Sequence, residues 1–252
     1  MILLLDVGNS RIKWAALQDG KLIRTGSGPH NKYNPRALVG NDWHDLPRPH
    51  RVIVSNVAGR AFPGEFDELI KGTWQIRAEY ITPAHNAFGV INAYRDPGRL
   101  GADRWAALIA ARHEFTGALY VVDCGTALTL DMLAANGQHL GGLIIPGFSM
   151  MQSALLERTA GISSDPGSSH DNDGAILPND TREAVHGGGL YAAVAVIDRV
   201  IDDVSHALGI ENITGVITGG DALLLRPLLK RKYIHEPHLV LKGLAVIAGS
   251  DS

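Results

Sequence analysis

The stretch "ILLLDVGNSRIKWAAL", residues 2–17, joins two apolar segments through a short polar turn. The first segment ends at Asp6, the turn contains Gly8, Asn9 and Ser10, and the second segment alternates apolar with polar residues. This pattern predicts two antiparallel strands, because alternation is typical of a half-buried strand and Gly, Asn and Ser favour tight turns. The turn is either an ordinary hairpin connection or a concavity of backbone N–H groups that binds an anion such as phosphate.

The same pattern occurs a second time, about half a chain further on. "LYVVDCGTALTLDML", residues 119–133, again places an apolar strand before an aspartate, Asp123, and a Gly-polar turn before another strand. The repetition predicts two domains of similar topology, residues 1–116 and 117–252. Strands and helices alternate along the chain, which is typical of the α/β class. Because Asp occupies the same point in both copies, the phosphate-binding interpretation is favoured over a mere turn.

The composition predicts a globular protein whose main partner is neither nucleic acid nor a membrane. The chain has 252 residues, of which 45% are hydrophobic and 19% charged, with a formal net charge of −3 and a pI near 6.4. A slightly acidic chain with scattered basic residues lacks the attraction that nucleic acids and anionic lipids exert. The first residues have no basic n-region, so we expect no signal peptide. We also expect no segment long enough to cross a bilayer, and we predict a cytoplasmic location.

The single cysteine, Cys124, excludes an intramolecular disulfide and a metal site built from several cysteines. It follows Asp123 at the end of an apolar segment, where we expect a small packed side chain rather than a nucleophile. His235 and His238 are interpreted as surface residues.

The other elements are predicted from apolar periodicity and turn residues. Asp180 and Glu183 have the spacing of a capping box at the start of a long helix. Residues 163–180, rich in Gly, Pro, Ser and Asp, are expected to form a mobile loop. The predicted strands cover residues 50–57 and 78–82, the predicted helices 104–115 and 182–208, and a strand–turn–helix unit is predicted over 214–222.

An aspartate beside bound phosphates requires a cation, because a carboxylate repels phosphate oxygens unless that charge is offset. Two other common phosphate-binding sequences, G-x-x-x-x-G-K-[ST] and G-x-G-x-x-G, do not occur in the chain. Arg11 and Lys13 share one face of the second strand. Either side chain could reach a phosphate held over the turn, and an exposed strand face is the alternative.

A second candidate site lies in "AYRDPGRLGADRW", residues 93–105. Gly101 precedes Asp103 and Arg104, which come at the start of a predicted helix. Asp103 is either the N-cap of that helix or a carboxylate that accepts the proton of an alcohol. In the second case Arg104 would bind an anionic group of the same substrate.

Two glycine-rich segments, "GGLIIPG" (residues 141–147) and "TGGD" (residues 218–221), are weaker signals. Each indicates either a close backbone approach or a simple turn. At the second segment a strand turns into a helix, where a flat adenine could lie against the backbone.

In these motifs the chain resembles the type III pantothenate kinases of the acetate and sugar kinase/actin/heat-shock ATPase superfamily. The resemblance runs from residue 1 to about residue 249 and is specific in "DVGNSRIK", "DCGTALTLD", "GADR" and "GGLIIPG". It implies two ribonuclease H-like (actin-like ATPase) domains with mixed sheets and a nucleotide cleft between them. It also implies ATP-dependent phosphorylation of pantothenate to 4′-phosphopantothenate, the first step of coenzyme A biosynthesis.

The resemblance further implies roles for individual residues. Asp103 would be the general base, Asp6 would lie near Mg²⁺, and Asp123 would bind a monovalent cation, potassium or ammonium. The implied pantothenate contacts are Tyr94, Gly101, Ala102, Asp103, Arg104 and Thr181, the last from the partner subunit of a homodimer. The implied ATP contacts are Asp6, Val7, Gly8, Asn9, Ser10, Arg11, Ile12, Lys13 and Thr126.

Two other functions are compatible with this fold: a non-catalytic ATP-binding regulatory or accessory protein, and a sugar kinase of the superfamily. The pair of Asp103 and Arg104 favours a kinase, because a non-catalytic binder needs no carboxylate that faces a hydroxyl. A sugar kinase would require another substrate pocket.

Overall fold

The computed structural model of the chain describes residues 1–30, 42–59, 61–159, 162 and 177–249. Most of the loop predicted over residues 163–180 therefore lies outside the described residues. The chain divides into two compact units. The first comprises Met1–Thr116, Leu133–Gly141 and His238–Ser252, and the second comprises Gly117–Met132 and Gly142–Pro237. The C-terminal segment thus groups with the first unit, whereas the sequence repeat assigns it to the second predicted domain.

The secondary structure of the described residues alternates strands and helices, as expected for an α/β chain. The elements in chain order are β1 (Ile2–Val7), β2 (Arg11–Gln18), β3 (Lys21–Pro29), β4 (Arg51–Asn56), α1 (Ala61–Trp74), β5 (Ala78–Tyr80), β6 (Asn86–Ala87), β7 (Val90–Ile91), α2 (Ala102–Glu114), β8 (Ala118–Cys124), β9 (Ala127–Leu133), β10 (His139–Pro146), α3 (Phe148–Arg158), α4 (Thr181–Leu208), β11 (Ile213–Thr218), α5 (Ala222–Leu225), β12 (Tyr233–His235) and α6 (Leu239–Gly249). The predicted strands and helices are all present, with ends shifted by two residues or fewer, and the predicted strand–turn–helix unit continues to Leu225.

Each unit contains a five-stranded mixed sheet, and the two sheets have the same strand order. The first sheet runs β3-β2-β1-β4-β5 and the second β10-β9-β8-β11-β12. In the first sheet β1 pairs antiparallel with β2 and parallel with β4, and in the second β8 pairs parallel with β11. The repeat seen in the sequence is therefore a repeat of topology, and the predicted α/β class with two mixed sheets is confirmed.

The core of the first unit covers both faces of its sheet. On one face Ile12 and Trp14 join a cluster with Phe62 and Phe66 of α1. The opposite face is covered as well, because α6 contacts β1 and β2 while α2 contacts β4. Ala15 is consequently as fully buried as its neighbours. The alternation of β2 therefore persists only at its start, where Arg11 is exposed and Lys13 is half-buried.

The core of the second unit lies between its sheet and α4. Ala193, Ile197 and Ile201 of this helix are fully buried against strand residues such as Val122 and Leu128. Asp180 is the N-cap at the start of this helix, as the capping-box spacing predicts, because its carboxylate accepts the Glu183 N–H at 3.0 Å. The helix ends at Gly209, whose φ of 62° is the left-handed conformation that terminates helices.

The long helix α4 is also apolar enough to cross a membrane by length and composition alone. Its most apolar 18-residue window has a mean hydropathy of 1.3, so the expectation that no segment reaches this length was wrong. One such helix is a weak indication, because the core helix of a soluble protein passes the same test. The buried stripe at Ala193, Ile197 and Ile201 is the packing expected of a helix that covers a sheet.

Candidate functional site

The first aspartate-containing turn is a hairpin connection between β1 and β2. The Gly8 N–H donates to the Arg11 carbonyl oxygen at 3.0 Å, which closes the turn. Asn9, Ser10 and Arg11 are exposed. The hairpin interpretation is therefore correct as geometry, and it leaves the turn residues accessible to a ligand.

Charged side chains share one face of the sheet beside this turn. Asp6 is the register partner of Lys13 in β2 and of Ser55 in β4. Directly opposed residues lie on the same face of a sheet. Asp6 is only 9% exposed, and Lys13 is half-buried. Arg11 lies at the exposed end of β2 and donates to Ser27 Oγ at 3.2 Å, which ties its guanidinium to β3.

The carboxylate of Asp103 is held in the first turn of α2. Gly101 is the N-cap of this helix, so the alternative that Asp103 is the N-cap was wrong. Asp103 Oδ1 accepts the Arg104 N–H at 2.7 Å, one of the first-turn donors that the helix itself leaves free. A Cβ on residue 101 would lie 2.6 Å from this oxygen. Glycine at 101 therefore provides the space that the carboxylate occupies.

The guanidinium of Arg104 is buried and held by an aromatic side chain. Arg104 is 6% exposed, and its Nη1 donates to the Tyr94 hydroxyl at 2.9 Å. The Tyr94 ring in turn stacks on His139, with ring centroids 6.2 Å apart and an interplanar angle of 10°. A guanidinium fixed in this way is pre-organised to bind a carboxylate through two hydrogen bonds. Gly101, Asp103, Arg104 and Tyr94 thus form one contact network.

The loop that carries Tyr94 is held by Asn92, a residue that the sequence did not single out. Asn92 is 4% exposed. Its Nδ2 donates to the carbonyl oxygens of Ala84 and Pro97, each at 3.3 Å, and its Oδ1 accepts the Tyr94 N–H at 3.0 Å. A lone asparagine gives no periodic signal in a sequence, and only its burial among backbone groups reveals its role.

The second aspartate-containing turn lies at the end of β8 and is contacted by both glycine-rich segments. Gly147, which follows β10, donates its N–H to the Thr126 carbonyl oxygen at 2.9 Å. Asp221 of the "TGGD" segment donates its N–H to the Cys124 carbonyl oxygen at 3.0 Å. The close-approach interpretation of these segments is therefore confirmed. Asp123, Thr126, Gly147 and the "TGGD" segment belong to the same compact unit.

Acidic side chains near this turn are partly removed from water. Burial raises the pKa of the Asp221 carboxyl. Burial, followed by the negative charges of Asp123 and Asp221, raises the pKa of the Cys124 thiol far above its ordinary value. Cys124 is 1% exposed, so the prediction of a packed, unreactive side chain is confirmed.

The candidate site offers few side chains that could bind a cation. Within the part of the chain that the structure describes, no three His, Cys, Asp or Glu side chains lie together as a metal-binding group. Asp6 and Asp123 each bring one carboxylate to the end of a strand. A cation at either place would take most of its ligands from phosphate, backbone and water oxygens, as Mg²⁺ commonly does.

The remaining predicted substrate contacts are placed as follows. Ala102 is the first residue of α2 and is buried. Thr181 is the first residue of α4, in the second unit, and is exposed.

Comparison with known proteins gives consistent matches over the full chain. A family model described as type III pantothenate kinase matches residues 2–203. A type III pantothenate kinase of Nitrosococcus oceani is 44% identical over 257 residues, which covers 100% of this chain and 95% of that protein. One of Nitrosospira multiformis is 36% identical and covers 100% and 92%. The structure of an inorganic polyphosphate/ATP-glucomannokinase from an Arthrobacter species has a TM-score of 0.51 at 16% identity, covering 100% of this chain and 99% of that one. At that identity the likeness shows the fold alone.

Proposed function

The chain belongs to the type III pantothenate kinase family, and we propose that Asp103 and Arg104 are the centre of its active site. The reaction is the ATP-dependent phosphorylation of pantothenate to 4′-phosphopantothenate, the first step of coenzyme A biosynthesis. The observation that carries the proposal is the contact network around Asp103. It contains a carboxylate fixed in a helix first turn, next in sequence to a buried guanidinium that Tyr94 holds.

Phosphoryl transfer passes through a loose transition state, so the protein contributes mainly positioning and charge stabilisation. Asp103 accepts a hydrogen bond from the primary hydroxyl of pantothenate and takes its proton as the new O–P bond forms. Arg104 binds the carboxylate of the same substrate and holds the hydroxyl in line. Tyr94, Gly101 and Ala102 line the pocket around them.

The proposed triphosphate site is the turn after β1. The turn N–H groups and the Lys13 ammonium supply positive charge to phosphate oxygens. The proposed ATP contacts are those implied by the family resemblance, Asp6, Val7, Gly8, Asn9, Ser10, Arg11, Ile12 and Lys13, together with Thr126 of the second unit.

The proposed cation sites are at Asp6 and Asp123. Mg²⁺ binds through one or two carboxylates plus substrate phosphates and water, and Asp6 provides one carboxylate that is only 9% exposed. Mg²⁺ bound there would offset the charge of the triphosphate. Asp123 provides the corresponding carboxylate for a monovalent cation, potassium or ammonium.

We further assign the chain to a cytoplasmic homodimer in which Thr181 of one subunit completes the pantothenate site of the other. Exposed large apolar side chains mark interaction surfaces when they are numerous. Within the described residues, the second unit exposes Leu143, Ile144, Met150, Leu155 and Tyr191 by 42% to 61%. A second copy of the same chain is the occupant that this proposal requires.

A coupled ADP-release assay tests the proposed activity. We expect turnover with pantothenate, none with a panel of sugars, and stimulation by potassium or ammonium. Asp103→Asn should retain ATP binding and lower kcat by about 10² or more, the usual range for a lost acid–base group. Near-normal turnover of this variant would exclude Asp103 as the base, and ATP binding without phosphorylation of any substrate would favour a regulatory protein.

A further inference from the structure

His30, the residue that follows β3, contacts both ends of the turn after β1, the proposed triphosphate site. Its backbone N–H donates to the Ser10 carbonyl oxygen at 2.9 Å. Its imidazole Nδ1 lies 2.9 Å from the Gly8 carbonyl oxygen. A carbonyl oxygen only accepts hydrogen bonds, so Nδ1 carries the proton and donates it. His30 therefore bonds the turn once through the backbone and once through the side chain.

The side-chain bond fixes the orientation of one peptide group. A trans peptide is planar, and its C=O and N–H point in opposite directions. When the Gly8 carbonyl is bonded to the His30 imidazole, the N–H of Asn9 points away from that ring. Rotation of this peptide would exchange the two groups and present a carbonyl oxygen where a phosphate needs a donor. The bond thus favours the orientation that a phosphate oxygen requires.

The imidazole is itself held by packing. Its ring meets the ring of Phe62 edge to face, with centroids 5.8 Å apart and an interplanar angle of 86°. Phe62 stacks on Phe66 with centroids 5.1 Å apart, and both belong to the core of the first unit. The imidazole is therefore held by α1 as well as by the turn that it contacts.

We propose that His30 is a positioning residue for ATP: it bonds the Gly8 carbonyl and so directs the Asn9 N–H of the turn at the triphosphate. This inference rests on the proposed function, namely that the turn after β1 is the phosphate site. It predicts that the donor at this position matters more than the ring.

Two substitutions separate the donor from the ring. In His30→Asn, the Nδ2 amide lies as many bonds from the backbone as the Nδ1 of histidine, so the donor is kept and the ring is lost. In His30→Phe, the ring against Phe62 is kept and the donor is lost. We expect His30→Phe to raise KM for ATP roughly three- to tenfold, the range for one lost hydrogen bond, with KM for pantothenate unchanged. His30→Asn should stay within about twofold of the wild-type KM for ATP.

Steady-state kinetics with both substrates, together with Tm, test this. The matched control is His50→Phe, because His50 Nδ1 lies 3.2 Å from the Met1 amino group and not at the turn. If both His30 variants raise KM for ATP equally, or only the asparagine variant does, the residue acts by packing and the proposal is overturned.

A third variant separates failure of this inference from failure of the proposed phosphate site. Lys13→Met removes an ammonium from the site without touching His30. If Lys13→Met raises KM for ATP while His30→Phe does not, the site stands and the positioning role is overturned. If neither variant changes KM for ATP, the proposed phosphate site is wrong, and the inference fails with it.

Discussion

Substitution of Gly101 by alanine provides a sharp test of the geometry around Asp103. The backbone at this position has φ −58° and ψ 138°, which alanine adopts without strain. The added Cβ would lie 2.6 Å from Asp103 Oδ1, whereas ordinary contact begins at 3.4 Å. Because the obstructing atom is the end of a side chain, the carboxylate can move while the backbone stays in place.

The expected magnitude follows from that distance. The carboxylate must move by about 0.8 Å, and misplacement of a catalytic group by about 1 Å costs on the order of 10²-fold in rate. We therefore expect kcat of Gly101→Ala to fall roughly ten- to a hundredfold. Alanine is also a poorer N-cap than glycine, at a cost of about 1 kcal/mol, which lowers Tm by about 2–4 °C for a chain of this size.

The assay is steady-state phosphorylation of pantothenate, with Tm measured on the same preparations. Gly98→Ala is the matched control, because its Cβ would lie 3.5 Å from Asp96 Oδ1, an ordinary contact in the same loop. If Gly101→Ala retains wild-type kcat, or if both variants lose activity to the same extent, the carboxylate position does not depend on Gly101 and the argument is refuted.

Two further predictions concern the second unit. Burial raises the pKa of Asp221 in the folded state, because burial disfavours the charged carboxylate. The protonated carboxyl group therefore stabilises the fold at low pH, and this contribution is lost as the pH rises through the folded pKa. The Asp221 side chain makes no capping bond, so its replacement by Asn removes no such bond. Asp221→Asn should therefore have a higher Tm than the wild type at pH 7, and the difference should shrink towards pH 4. A Tm difference that does not depend on pH would contradict this cause. Tyr191 of α4 is 56% exposed, and the substitution Tyr191→Glu should destabilise the proposed dimer. If the variant and the wild type have the same sedimentation coefficient at equal concentration, Tyr191 does not lie in the dimer interface.

The topology is predictable from the sequence because its signals are local. Each copy of the repeat contains its own alternating strand and its own turn residues, so the segments around Asp6 and Asp123 are enough to indicate two sheets. The N-cap bond between Asp180 and Glu183 is likewise readable, since both residues lie within one helical turn.

The features that the sequence did not reveal depend on contacts between distant segments. Helix α6 groups with the first unit because it packs closely on α2: a Cβ on Gly243 would collide with the Ala106 backbone. Asn92 and His30 act through hydrogen bonds to backbone groups of other residues. Neither periodicity nor motif spacing contains information about such partners.

The turns after β1 and β8 have the same topology but are stabilised by different interactions. In both units the third strand ends at a proline, and the next residue donates its N–H to the turn: His30 to Ser10, and Gly147 to Thr126, each at 2.9 Å. At the second turn any side chain is excluded, because a Cβ on residue 147 would collide with the carbonyl oxygens of the turn.

At the first turn the same position has room for an imidazole that bonds the Gly8 carbonyl. The second turn is therefore fixed by backbone packing, and a substitution at Gly147 should be costly for folding. At the first turn a side chain adds a bond to those of the backbone, so a substitution at His30 should alter ATP binding while the fold persists. A lower Tm in His30→Phe than in Gly147→Ala would contradict this distinction.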